Sequence, residues 1–111
     1  MTNTLITQNI TTVEPQGYIS AANAPQFLDQ LTTAVNSQEN QILLVDMKKV
    51  EFLDSAGLMV LVKAFRMAQN LGRRLIICSL APSVRMVFEL TQLDRVFEIF
   101  DSRQDFQAVF N

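Results

Sequence analysis

The sequence predicts an α/β fold: a single domain over residues 1–111, with a mixed, mostly parallel sheet of four to five strands and about four helices. Three observations predict it. Two continuous apolar runs, Ile42-Leu43-Leu44-Val45 and Leu75-Ile76-Ile77-Cys78, have the character of central strands covered on both faces. Between and after them lie segments whose apolar residues recur at helical spacing. Strands that alternate with helices imply parallel neighbours joined by right-handed crossovers.

Leu5 to Val13 is rich in threonine and isoleucine and reads as extended. Glu14-Pro15-Gln16-Gly17 is a turn signal, after which Tyr18-Ile19 begins a second strand, so these two strands are expected to pair as an antiparallel hairpin. A first helix follows, with Asn23 as its cap, Pro25 in its first turn, and Ala24, Phe27, Leu28, Leu31 and Val35 along its buried face. The polar stretch Asn36 to Asn40 is a loop before the first apolar run. Lys48 to Leu53 leads into Asp54-Ser55-Ala56-Gly57, where a second helix starts and runs to about Leu71. Gly72 is its left-handed stop, and Leu58, Leu61, Val62, Phe65 and Ala68 form its core face. Ala81-Pro82-Ser83 opens a third helix with Val84, Val87 and Phe88 inward, and Val96 to Phe100 is a last strand. Ser102 and Asp105 match a capping box for a terminal helix carrying Phe106, Val109 and Phe110. Phe27, Leu31, Leu44, Leu61, Phe65, Ile76 and Phe88 are expected to be buried, and Cys78 to be an inert core thiol.

Composition narrows the chemistry. There is no histidine, which excludes histidine-based triads and histidine-ligated metals, and the one cysteine cannot form an internal disulfide or a thiolate cage. No metal and no cofactor are expected. Formal net charge is −2, and Lys48-Lys49 and Arg73-Arg74 read as solvated charges, so nucleic acid is not an expected partner. The first residues lack a basic region followed by an apolar stretch, and the run Leu58 to Val62 is far too short for a membrane span. A cytoplasmic protein is expected.

Ligands and partners of such sheets gather where strands end and helices begin. Asp54-Ser55-Ala56-Gly57 occupies one such junction, at a helix N-terminus whose unpaired N–H groups favour a phosphate. Taken alone, the residue types favour a plain N-cap there, with Gly57 allowing tight packing.

The segment Phe52-Leu53-Asp54-Ser55-Ala56-Gly57-Leu58 resembles the F-[ILM]-D-S-[SA]-G-L pattern of the STAS, or anti-sigma factor antagonist, family. Gly17 to Ala24, Ile42 to Val50 and Pro82 to Leu93 resemble three further stretches of that family in order, so the resemblance covers nearly the whole chain. The resemblance implies a non-catalytic protein-binding switch. Ser55 would be phosphorylated by a partner that is both serine kinase and anti-sigma factor. The unmodified form would bind that partner, the phosphorylated form would release it, and a serine phosphatase would reset the switch.

Asp54, Ser55, Ala56 and Gly57 would form the switch loop, and Ser20, Asp54, Met59 and Lys63 would meet the partner. Ser20 stands where aspartate is common in the family, Ala56 where a second serine is common, and Met59 where a small residue is common. The alternative is a STAS subunit of a stressosome-like scaffold or a lipid-transport complex. An enzyme with Ser55 as nucleophile and Lys63 as base is disfavoured, because no Gly-x-Ser-x-Gly elbow surrounds Ser55. On the second helix, Met59, Lys63, Arg66, Met67 and Asn70 lie opposite the core stripe. The two methionines there point to an adaptable contact surface, or else Met67 fills a groove.

Overall fold

The computed structural model describes residues 9–37 and 41–110. A four-stranded parallel sheet has the order β1 (Ile10–Val13), β3 (Ile42–Asp46), β5 (Arg74–Cys78), β6 (Glu98–Phe100). A second, two-stranded parallel sheet pairs β2 (Gln16–Ile19) with β4 (Lys49–Leu53). The helices are α1 (Ala24–Val35), α2 (Ser55–Asn70), α3 (Pro82–Leu90) and α4 (Arg103–Phe110), with a short 3-10 turn at Leu93–Arg95. The α/β class and the central position of the two apolar strands are as expected. The residues before Asn9, including the start of the expected first strand, lie outside the described residues.

The expected antiparallel hairpin does not form. β1 pairs with β3 and β2 with β4, both in parallel. Only Glu14 and Pro15 separate β1 from β2, and a residue before proline is held extended, so the chain continues forward instead of reversing. β3 and β4 continue forward in the same way across Met47 and Lys48. β4 itself has no apolar run to announce it: only Val50 and Leu53 of its five residues are buried. The last strand is shorter than Val96 to Phe100, because the N–H groups of Val96 and Phe97 both donate to the Leu93 carbonyl at 3.0 Å, closing the 3-10 turn.

Strand alternation divides the core in two. Leu43, Val45, Leu75 and Ile77 face one side, where Phe27, Leu31 and Val35 of α1, Leu58 and Leu61 of α2, and Val84 and Phe88 of α3 cover them. Ile42, Leu44, Ile76 and Cys78 face the other side with Phe106 of α4. Val109, expected with Phe106, is 65 % exposed, because α4 turns only its Phe106 and Phe110 edge to the sheet. Phe65 is partly exposed and packs edge-on against Phe97, with ring centroids 5.0 Å apart. On α2 the buried stripe runs through Gly57, Leu58, Val60, Leu61, Ala64 and Ala68, wider than the sequence stripe because α1 packs beside it. Met67 packs partly buried against the core, as the groove-filling reading has it.

The ends of the elements are tied by identifiable groups. α2 stops in a Schellman arrangement: Gly72 at φ +70° donates to the Gln69 carbonyl, and Arg73 N donates to Ala68 O at 2.8 Å. The arginine pair is structural and not merely solvated. Arg73 donates to the carbonyls of Val35 and Ser37 at the end of α1, and one nitrogen of Arg74, Nη2, donates to both carboxylate oxygens of Glu98 at 2.7 Å. Arg103 at the start of α4 reaches Glu14 at 2.7 Å and the buried Asp46 at 3.5 Å, joining α4 to the ends of β1 and β3. Ser102 Oγ accepts the Asp105 N–H at 3.0 Å, which supplies the expected cap.

Candidate functional site

β2 and β4 lie side by side, so the residues that follow them meet: Ser20 after Ile19, and Asp54 after Leu53. Asp54 is the N-cap of α2, extended at φ −90° and ψ −175°. Its Oδ1 accepts the Gly57 N–H at 3.0 Å, and its backbone carbonyl accepts from Leu58 N at 2.9 Å. Its second oxygen reaches across the junction, where Oδ2 accepts the Ala21 N–H at 3.1 Å, while Asp54 N donates to Ile19 O at 3.0 Å. One carboxylate therefore fastens the start of α2 to the turn that leads into α1.

That turn is organised by Asn23. The sequence reading makes Asn23 a helix cap, yet its side chain makes no cap bond to α1. Instead Oδ1 accepts from Ser20 N at 2.8 Å and Nδ2 donates to Tyr18 O at 2.8 Å, because the tight turn between β2 and α1 brings those groups closer than the helix amides. Ser20 Oγ accepts from Ala22 N at 3.3 Å.

With Asp54 as the cap, Ser55 is left as the first helical residue, and it is exposed. Gly57 is buried under it: a Cβ there would stand 2.8 Å from Ile19 Cγ2 and 2.8 Å from Leu53 Cδ1, so α2 begins in close contact with the ends of β2 and β4. The serine side chain is thus exposed at the positive end of the α2 dipole, where Asp54 already accepts the Gly57 N–H. Among the described residues no three His, Cys, Asp or Glu side chains group to hold a metal.

The structure brings Ser20, Asp54, Ser55, Ala56 and Gly57 to one junction. Met59 and Lys63 follow one and two turns along α2, both exposed, with Met59 at 49 %. Together with Ala24 and Leu28 of α1 they line an open groove of about 410 Å³ between the two helices, whose lining also includes Ala56. Arg66 and Asn70 are exposed further along α2. Sequence reasoning missed an aromatic pair next to the same junction. Tyr18 and Phe52 are register partners on β2 and β4, 65 % and 41 % exposed, with ring centroids 6.3 Å apart. Each was visible in the sequence, but only the parallel register places them together.

The description of the STAS domain family matches residues 1–106. A Bordetella bronchiseptica protein named putative anti-sigma factor antagonist BtrV is 32 % identical over 95 residues, covering 86 % of this chain and 81 % of that one. The anti-sigma-B factor antagonist of Listeria monocytogenes is 31 % identical over 83 residues, covering 75 % and 72 %. Among solved structures, that of a protein from Thermotoga maritima named a putative anti-sigma factor antagonist superposes with a TM-score of 0.83 at 22 % identity, covering 91 % of this chain and 86 % of that one.

Proposed function

The chain belongs to the STAS domain family, and from that premise we propose that it is an anti-sigma factor antagonist switched by phosphorylation of Ser55. The observation that carries this reading is the division of labour at the junction. Asp54 holds the cap, which leaves the Ser55 hydroxyl exposed at the first position of α2 and open to a kinase. The names borne by its relatives in Bordetella and Listeria support the antagonist role.

The unmodified protein binds an anti-sigma factor that is also a serine kinase, through Ser20, Asp54, Met59 and Lys63 around the switch loop. Binding, and not catalysis, is the activity. A phosphoryl group adds about −1.5 to −2 charge at pH 7. The N-terminus of α2 tolerates that charge, so the fold persists. A partner packed on the loop would have to desolvate the charge beside Asp54, and the complex separates. A serine phosphatase restores the binding form, and the cycle runs in the cytoplasm. No helix among the described residues is long and apolar enough to cross a membrane.

The test is titration calorimetry of a purified anti-sigma factor against unmodified protein, phosphorylated protein, Ser55→Ala and Ser55→Asp. Unmodified protein and Ser55→Ala should bind alike. Phosphorylation, and to a lesser degree Ser55→Asp, should weaken binding by at least about tenfold, or about 1.4 kcal/mol. Equal affinity of the phosphorylated and unmodified forms would remove the switch.

A further inference from the structure

We infer that the groove between the first turns of α1 and α2 is the specificity pocket of this switch, seating one apolar side chain of the anti-sigma factor, with a carboxylate of that same partner on Lys63. The inference rests on the reading above and names the partner chemistry at its site.

The groove is built from apolar and small residues. Ala24, Pro25 and Leu28 form the α1 wall, and Ala56, Met59 and Val60 form the α2 wall. Its volume of about 410 Å³ is at the lower end of the roughly 300–1,000 Å³ typical of enclosed ligand sites, and it is open along one side. That shape suits a side chain presented by a protein surface better than a small molecule that must be surrounded. Met59, half-exposed on the wall, is the residue type that adapts to an incoming apolar group.

Charge selects the neighbour of that side chain. Lys63 is the one charged residue lining the groove. Like Lys48, Arg66 and Arg95 it makes no ion pair among the described residues, so its position in the groove, and not its lack of a partner, sets it apart. An ammonium left unmatched at the end of an apolar groove is complementary to a partner carboxylate, and it disfavours partners with a cation there.

Continuity with the switch supplies the link to regulation. Ala56, a wall residue, is bonded to Ser55, so a side chain seated in the groove holds the partner surface against the Ser55 hydroxyl. Ser55 does not itself line the groove, and a phosphoryl group on it would add its charge one residue from the Ala56 wall. Lys63 lies eight residues further on, about 12 Å along the helix axis. Its contribution is therefore separable from that of the phosphate.

The experiment uses the full chain and the anti-sigma factor that binds it in the Ser55 titration. Ala24→Leu and Ala56→Leu fill the groove from opposite walls, and Lys63→Glu reverses its charge. Each should weaken binding by about tenfold or more, the scale of a lost interface anchor. The Lys63→Glu defect should shrink at high salt, where exposed charges are screened. Circular dichroism and urea unfolding serve as folding controls; if Ala24→Leu fails them, Ala56→Leu and the exposed Lys63→Glu decide. If Ser55→Asp weakens binding while the groove variants stay within about twofold of the parent, the pocket is wrong and the phosphorylation switch stands. If Ser55→Asp and the groove variants all bind like the parent, or if no anti-sigma factor binds, both readings fall.

Discussion

Gly57 shows how much a single missing side chain contributes to the junction. The branched, buried side chains of Ile19 and Leu53 occupy the space a Cβ would need, at 2.8 Å each. Neither can swing away, because both are packed in the main core. Gly57→Ala should therefore destabilise the protein by about 1–3 kcal/mol despite the better helix propensity of alanine, as overpacking does elsewhere. Urea unfolding measures it, and an unchanged or higher midpoint would show that α2 can lift off β2 and β4 without cost. The glycine of the switch motif was legible in the sequence. Tight packing there was expected as well, but not against what, because the two residues it packs against come from different strands. Tyr18 and Phe52 show the same limit: neither residue by itself signals a paired aromatic surface.

At the scale of elements, the start of α2 depends on one carboxylate with two attachments. Asp54 caps its own helix through Gly57 and holds the turn before α1 through Ala21. Replacing a capping aspartate by alanine costs about 0.5–2 kcal/mol, typically about 1. Asp54→Ala should lie at the upper end of that range, since it also releases the second attachment. Ser55→Ala, which removes no capping bond, should leave the unfolding free energy unchanged within about 0.5 kcal/mol. A comparison of the two unfolding curves checks the assignment of Asp54 as the cap, and equal losses would refute it. The capping residue types were legible in sequence order. Which of Asp54 and Ser55 takes the cap is decided by where β2 delivers the Ala21 amide.

Across the whole molecule the two faces of the sheet are unequally protected. α1, α2 and α3 share one face, while Phe106, Phe100 and Phe110 guard the other. Cys78 lies in that smaller cluster, fully buried, and burial pushes its thiol up from the ordinary range. A raised thiol pKa leaves less thiolate at neutral pH, so Cys78 should react slowly with a thiol reagent in the folded protein and promptly in denaturant. Phe106→Ala should cost about 3–5 kcal/mol, as deletion of a buried aromatic does, and should bring the Cys78 reaction forward under native conditions. Slow labelling in a folded Phe106→Ala variant would mean that α4 is not what shields the thiol.

The apolar runs of β3 and β5, the helical stripes and the Asp-Ser-Ala-Gly junction were determined by the sequence itself, because each is written in neighbouring residues whose periodicity or cap chemistry is local. The direction of β2, the existence of β4, the Tyr18–Phe52 pair and the α1–α2 groove were decided only by the tertiary structure. Whether a short strand turns back or runs on depends on which distant strand accepts its hydrogen bonds, and a groove exists only between two helices already packed side by side. Both are properties of contacts across tens of residues, and no local pattern carries them.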